Sequence, residues 1–323
     1  MKQVTKEHWN GYDTYVLHSG ELEVTMIPRL GNNIISVRDL KLNREIVRRP
    51  GEEELAFYLQ KPYHFGLPIL IPPGRIRKGQ FEFDGVPYQF DRNTANDNHI
   101  HGLHRNQSWC CSDIEEDEEG CSVTTELLTE SDPHWMEQYP IPLRLEMTYR
   151  LQGTVLSQTL RVTNLGEKTA PFGLGYHTWF MVDGEPERWR LKLPVNGVYE
   201  QDAEQLPTGV ITSLDLDRLE QLPSGLSLKE TNLDTLLRAT EEPAEAILTR
   251  DDGYQIRYTA DEQYFKYWVL YTKGECDQYF CIEPYTWLPD APHFSDPVGE
   301  AGLIRLEPQQ SIDLNTQIHI VHP

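Results

Sequence analysis

Apolar and polar residues alternate one for one through segment after segment of this chain, and that period dictates strands rather than helices. Leu143 to Leu151 is the cleanest case: Leu143, Leu145, Met147, Tyr149 and Leu151 share one face, and Arg144, Glu146, Thr148 and Arg150 the other. A turn at Gly153 leads into Leu156 to Asn164, the expected antiparallel partner. Leu22 to Ile27, Leu191 to Leu193, Ala246 to Thr249, Gln255 to Tyr258 and Ile312 to Ile320 continue the pattern. Phe81 to Asp84 and Tyr88 to Phe90, on either side of Gly85, predict a short hairpin from Gly79 to Phe90. Helical periodicity is scarce, with Glu53 to Leu59 and Asp215 to Leu222 as weak candidates for short helices. The 22 prolines and 22 glycines scattered between short strands favour an antiparallel sandwich over a βαβ fold. Neither a break in composition nor an internal repeat divides the chain. Residues 1–323 are therefore expected to form a single all-β domain, with Gln205 to Leu226 as a surface excursion.

Charge narrows the function classes. Lys and Arg total 29 against 51 Asp and Glu, a net charge of −22, which argues against a nucleic-acid-binding surface. The densest acidic run, Glu115 to Glu119 before Gly120, has the composition of a solvated turn. Cys110, Cys111, Cys121, Cys276 and Cys281 are odd in number and lack a framework spacing; adjacent Cys110 and Cys111 alternate faces on a strand and make poor partners. Reduced thiols, an N-terminus without an apolar segment and the lack of any long apolar run predict a soluble, cytoplasmic protein with no membrane partner.

Several polar groups stand out. His177, in Gly173 to Phe180, and Glu283, in Phe280 to Trp287, are each a single ionisable side chain among apolar and aromatic neighbours. Burial shifts the pKa of such groups, and a histidine beside a carboxylate supplies acid and base at neutral pH. Each has a plainer reading, His177 as a core histidine bonded to backbone and Glu283 as a salt-bridged structural acid. His99, His101 and His104 fall within six residues, and on a strand His99 and His101 would point the same way. Imidazoles bind transition metals. A cupin-like site would also want a nearby glutamate, and none occurs between His104 and Glu115; no metal is expected, and His101 is the better candidate for a substrate contact. Arg75, in a Pro/Gly loop, can present its guanidinium to hydroxyls or an anion. Asp234 suits a turn or cap. Trp135, Trp179 and Trp287 lie near these groups, and either core packing or a sugar platform accounts for them.

Taken in order, Arg75-Ile76-x-x-Gly79-x-Phe81, Asn98-His99-x-His101-Gly102, Tyr139-Pro140, His177-x-x-Phe180, Leu233-Asp234 and Glu283-Pro284-x-Thr286 with Asp290-Ala291 resemble the aldose 1-epimerase (galactose mutarotase) family. The resemblance runs from the Gly31 region to the C-terminal strands. It implies a large antiparallel β-sandwich of the galactose mutarotase-like supersandwich type with a carbohydrate cleft, in a monomer or homodimer. It implies an isomerase that interconverts the α and β anomers of a free aldohexose without a cofactor. In that likeness Glu283 matches the general base and His177 the general acid, while His101, Arg75 and Asp234 match sugar-holding positions.

Three positions depart from the family pattern: Gly74 before the arginine, Leu103 after Gly102, and His293 after Asp290-Ala291-Pro292. The stretch from His101 through His104-Arg105 to Trp109 leans toward hexose-6-phosphate 1-epimerase relatives, which carry a His-Gly-x-x-Arg block. In that variant Arg105, with His104 as a secondary contact and Arg75, Arg77 and Lys78 nearby, would meet a phosphate. A non-catalytic sugar-binding protein on the same scaffold is the third reading, favoured if Glu283 and His177 lie too far apart to reach one sugar.

Overall fold

The alternating segments pair as their period requires. The computed structural model describes residues 2–215, 218–229, 231–240, 244–272 and 278–323. Leu143–Gln152 and Val155–Asn164 run antiparallel in unbroken register, from Leu143 opposite Asn164 to Gln152 opposite Val155. Gly153 closes that hairpin at φ 54°, a left-handed conformation that costs glycine no Cβ clash. Among the described residues the pair belongs to a nine-stranded sheet. Its order is Cys110–Glu116, Cys121–Leu128, Leu143–Gln152, Val155–Asn164, Ser311–Val321, Gln255–Ala260, Glu245–Arg250, Trp189–Lys192 and Leu226–Ser227.

A second antiparallel sheet runs Pro207–Thr212, Val195–Gln201, Asp234–Ala239, Tyr267–Tyr271, Tyr279–Tyr285, Gly175–Tyr176 and Ile69–Leu70, with Thr178–Met181 also paired to Tyr279–Tyr285. A five-stranded meander spans Gln3–Trp9 to Arg44–Glu45. The two large sheets share one apolar cluster. Tyr149, Leu160 and Ile318 enter it from the first sheet, and Phe180, Trp268 and Ile282 from the second. The Tyr258 ring crosses between them, 5.8 Å from Phe180 and 6.2 Å from Trp268. Each large apolar side chain buried there contributes about 1.5–3 kcal/mol relative to exposure.

The weaker expectations resolve in detail. The hairpin is Gln80–Phe83 paired with Val86–Gln89. Glu52–Glu54 makes a 3-10 turn and Leu55–Gln60 a short α-helix, whose buried Tyr58 packs edge-on against Trp9 at 5.5 Å. Of Asp215 to Leu222 only Leu219–Gln221 is helical, a single 3-10 turn, and residues 216–217 lie outside the described ones. The excursion from Gln205 to Leu226 is not all loop: Pro207–Thr212 forms an edge strand, and Gln205 enters the cleft described below. Cys110, Cys111 and Cys121 are free thiols, while Cys276 lies outside the described residues. No helix among the described residues is long and apolar enough to cross a membrane.

Candidate active site

Alternation along Tyr279–Tyr285 sends Phe280 and Ile282 into the core and sets Cys281, Glu283 and Tyr285 on the opposite face. The neighbouring chain is in register on both sides of His177, with Gly175 opposite Tyr285 and Thr178 opposite Ile282. His177 is therefore carried directly across from Glu283. On the other flank Val269 lies opposite Glu283 and Leu236 opposite Val269, so Leu236, Val269, Glu283 and His177 form one cross-strand row. The adjacent row is Asp234, Tyr271, Cys281 and Trp179. These rows floor a cleft of about 300 Å³ whose walls include Tyr63, His64, Arg75, His101, Gln205 and Tyr285.

His177 Nε2 lies 3.4 Å from Glu283 Oε1, and the two residues are only 5% and 1% exposed. The Tyr285 hydroxyl donates to Glu283 Oε2 at 2.6 Å. The Trp179 indole lies parallel to the His177 ring (centroids 5.1 Å apart, 3° between planes), and its Nε1–H donates to the Tyr63 carbonyl at 2.7 Å. Burial drives Glu283 well above the usual carboxylate range, against the pull of the Tyr285 hydrogen bond, and Asp234 pushes it the same way. Burial also lowers His177 to about 3, helped by repulsion from His64. Each group alone thus favours its neutral form, whereas an ionised Glu283 at this distance would favour the imidazolium. With one proton on the pair, the neutral and ion-pair arrangements differ by a short transfer within it. Removing the Tyr285 hydroxyl takes away a stabiliser of the carboxylate. Tyr285→Phe is expected to move the acid limb of any Glu283-dependent pH–rate profile to higher pH. An unmoved limb would exclude this role for the hydroxyl.

His101 reaches the cleft through an irregular turn. His101 and Gly102 both have positive φ, 64° and 75°, and the His101 N–H donates to the Gly74 carbonyl at 3.0 Å. A Cβ on Gly102 would stand 1.9 Å from the Ile71 carbonyl oxygen, which is why glycine follows the histidine. The His101 ring faces His177 edge-on at 5.5 Å, and burial holds it well below the usual histidine range, hence neutral. Arg75 pairs in the strand Arg75–Ile76 with His99–Ile100. Its guanidinium bonds the Gln205 side-chain oxygen, and the Gln205 amide nitrogen donates to Asp234 Oδ2. Asp234 is raised by its enclosure in the cleft wall and lowered by Arg75. Asp290 braces this corner. Its N–H donates to the Arg75 carbonyl at 2.7 Å, and its Oδ1 accepts from the Arg77 N–H at 2.8 Å and meets His293 Nδ1 at 2.7 Å.

Other sequence candidates lie elsewhere. His99 and His101 do not point the same way, because the left-handed backbone at His101 breaks the strand alternation; His99 Nδ1 instead meets the Asp91 carbonyl at 2.7 Å. His104 is 1% exposed, bonded to the Ile69 backbone and lowered to about 3 by burial, so it faces neither cleft nor solvent. Arg105 stacks over the Tyr63 ring at 5.4 Å and lines a neighbouring cavity instead. Arg77 is held by Asp202 at 3.1 Å, Asp290 at 3.6 Å and Glu204 at 4.0 Å, and Lys78 donates to the Asn96 carbonyl at 2.9 Å. The basic residues therefore do not converge on one anion. Trp287 packs in the core with its Nε1–H on the Pro73 carbonyl at 2.9 Å. Among the described residues one three-donor group suits a metal, His177, Cys281 and Glu283, with ligand atoms within 4.8 Å of one another. Two of its members are His177 and Glu283, the 3.4 Å pair described above.

Tyr63, Gln205, Tyr271 and Tyr285 were not anticipated from sequence. Tyr285 was accessible by the period of two from Glu283; Gln205, at φ 59° in a tight turn, carried no local signal.

Comparison with known proteins agrees with this architecture. A Clostridium acetobutylicum galactose mutarotase-like protein superposes with a TM-score of 0.93 at 24% identity, covering 100% of this chain and 99% of that one. Galactose 1-epimerase from Lactobacillus acidophilus NCFM gives a TM-score of 0.80 at 18% identity, covering 99% and 98%. In sequence, the uncharacterized protein YihR of Escherichia coli is 26% identical over 298 residues, 90% of this chain and 88% of its own length. The family model described as aldose 1-epimerase matches residues 13–319, and with that span the chain belongs to the aldose 1-epimerase family.

Proposed function

We propose that this protein interconverts the anomers of a free aldohexose such as glucose or galactose, with Glu283 as general base and His177 as general acid. The observation that carries the reading is the 3.4 Å contact between His177 Nε2 and Glu283 Oε1 on the floor of a sugar-sized cleft. The reaction moves protons on two oxygens attached to the same carbon, so its acid and base must be close neighbours. Glu283 takes the proton of the C1 hydroxyl while His177 gives its proton to the ring oxygen; the C1–O5 bond breaks and the aldehyde forms. Rotation about C1–C2 and closure with the roles reversed return the other anomer. Each direction starts from the same proton count, which suits a pair that shares one proton. Neutral His101 stands beside His177 to orient the ring, while Arg75, Gln205 and Asp234 offer donors and acceptors to the sugar hydroxyls.

A phosphorylated substrate has less support: Arg77 and Lys78 are engaged, Arg105 lies outside the cleft lining, and Arg75 faces an amide beside a carboxylate. A purely binding role has less support, since His177 and Glu283 lie 3.4 Å apart, close enough to meet one sugar. The test is anomer exchange followed by polarimetry or NMR on glucose, galactose and their 6-phosphates, with the free sugars expected to be accelerated. Absence of acceleration for every sugar would overturn the reading. So would a stoichiometric transition metal on the purified protein, bound at His177, Cys281 and Glu283.

A further inference from the structure

We propose that Trp179 is a positioning residue for His177: its indole face, in place of a hydrogen bond, sets the plane of the imidazole and favours the charged form that hands a proton to the sugar. This rests on the anomerase reading above and names a further residue for the same reaction. A histidine that works as an acid is ordinarily aimed by a hydrogen bond to its second ring nitrogen. His177 lacks one. Its Nε2 faces Glu283, while its Nδ1 is buried and meets no hydrogen-bond partner among the described residues. What the ring meets instead is aromatic. Trp179 lies parallel to it at 5.1 Å with 3° between planes, and His101 and Tyr271 stand edge-on at 5.5 and 5.8 Å.

The spacing explains the stack. His177 and Trp179 are two apart in an extended run, so their side chains leave by the same face. Trp179 is itself fixed from three directions. Its N–H donates to the Gly66 carbonyl at 3.0 Å, its carbonyl accepts from the Arg48 N–H at 2.9 Å, and its indole N–H donates to the Tyr63 carbonyl at 2.7 Å. The side chain is fully buried and does not line the cleft, so it acts on a sugar only through His177. Electrostatics point the same way. A cation over an indole face is stabilised, which favours a charged His177 beside an ionised Glu283, the arrangement from which the proposed proton transfers start. The Arg48 guanidinium, 5.5 Å from the centroid of the same indole, draws on it as well. The gain left for His177 is about tenfold.

The experiment measures kcat and KM for glucose and galactose anomer exchange by NMR in Trp179→Leu, in Trp179→Phe, and in proteins carrying mono- to tetrafluorotryptophan at position 179 alone. Leucine removes the aromatic face, and phenylalanine keeps a flat face while dropping the indole N–H. Fluorine keeps the shape and withdraws electron density from the face, so that series tests the contact even where Trp179→Leu does not fold. In Trp179→Leu kcat is expected to fall about tenfold with KM within about twofold of wild type, the pattern of a loss felt only in the transition state. Trp179→Phe should recover most of the wild-type kcat, and kcat should decline stepwise along the fluorinated series. A flat series, or equal losses in Trp179→Leu and Trp179→Phe, would overturn the positioning role and leave the anomerase reading standing. A raised KM at unchanged kcat would assign Trp179 to sugar binding and overturn it as well. No exchange with any sugar by the wild-type protein would remove both proposals.

Discussion

Glu283→Gln is expected to lower kcat/KM for anomer exchange by about 10²–10⁴-fold, the range for loss of a positioned general base, while leaving the fold intact. Glutamine preserves the shape and can still accept the Tyr285 hydroxyl, so the lost element is the basic oxygen facing His177. Near-normal exchange by this variant would sink the assignment. The same substitution has a second expected result, in stability. Burial raises the Glu283 pKa in the folded chain above its ordinary 4.5. The unfolded chain gives up this proton first as pH rises, so ionisation costs the native state stability from about pH 4.5 upward. Below that pH the acid and the amide behave alike. Wild type should therefore melt lower than Glu283→Gln at pH 8 and close to it at pH 4. The opposite order at pH 8 would mean that partners more than offset the burial of the charge.

Gly102→Ala is expected to be among the most damaging single-methyl changes in the chain. Its Cβ would meet the Ile71 carbonyl oxygen at 1.9 Å and carbonyl carbon at 2.2 Å, both backbone atoms, at φ 75°. Gly85 offers the control, since it has a similar φ of 73° and nothing within 4 Å of its Cβ position. Gly85→Ala should cost only the left-handed backbone penalty, about 1–2 kcal/mol. Gly102→Ala should exceed it by a further ~1–3 kcal/mol for forced overpacking. Because the turn also aims His101 at His177, its kcat/KM should fall even below the melting transition. Denaturant titrations of the two variants compare the costs, and equal losses would exclude the clash.

Sheet pairings were legible where both faces of a strand are spelled out. Leu143–Gln152 and Val155–Asn164 carry their register in side-chain alternation. Glu283 and His177 were legible for a related reason: a lone ionisable residue in an apolar strand has few uses. Left-handed backbone defeated the reading at two points. A φ of 64° at His101 sends His99 to a different cavity from the one expected. At Gln205 a comparable turn delivers a side chain to Arg75 and Asp234 from a segment whose composition suggested only surface. Arg105 and His104 shared a suggestive spacing with His101, but burial of each is set by contacts with Tyr63 and Ile69, which lie far back in the chain.

The row that joins His177 to Glu283 also governs how such a protein can change over generations. His177 and Glu283 are brought together by interstrand register. Loops between the two strands can lengthen, shorten or acquire new contacts without moving that pair. One residue inserted between Phe280 and Glu283 would exchange the faces and put a carboxylate in the core. The sheet thus behaves as a ratchet, permissive toward drift at its margins and intolerant of a half-step at its centre. Diversity in ligand preference should accumulate in the walls that the loops supply, while His177 and Glu283 stay where they are.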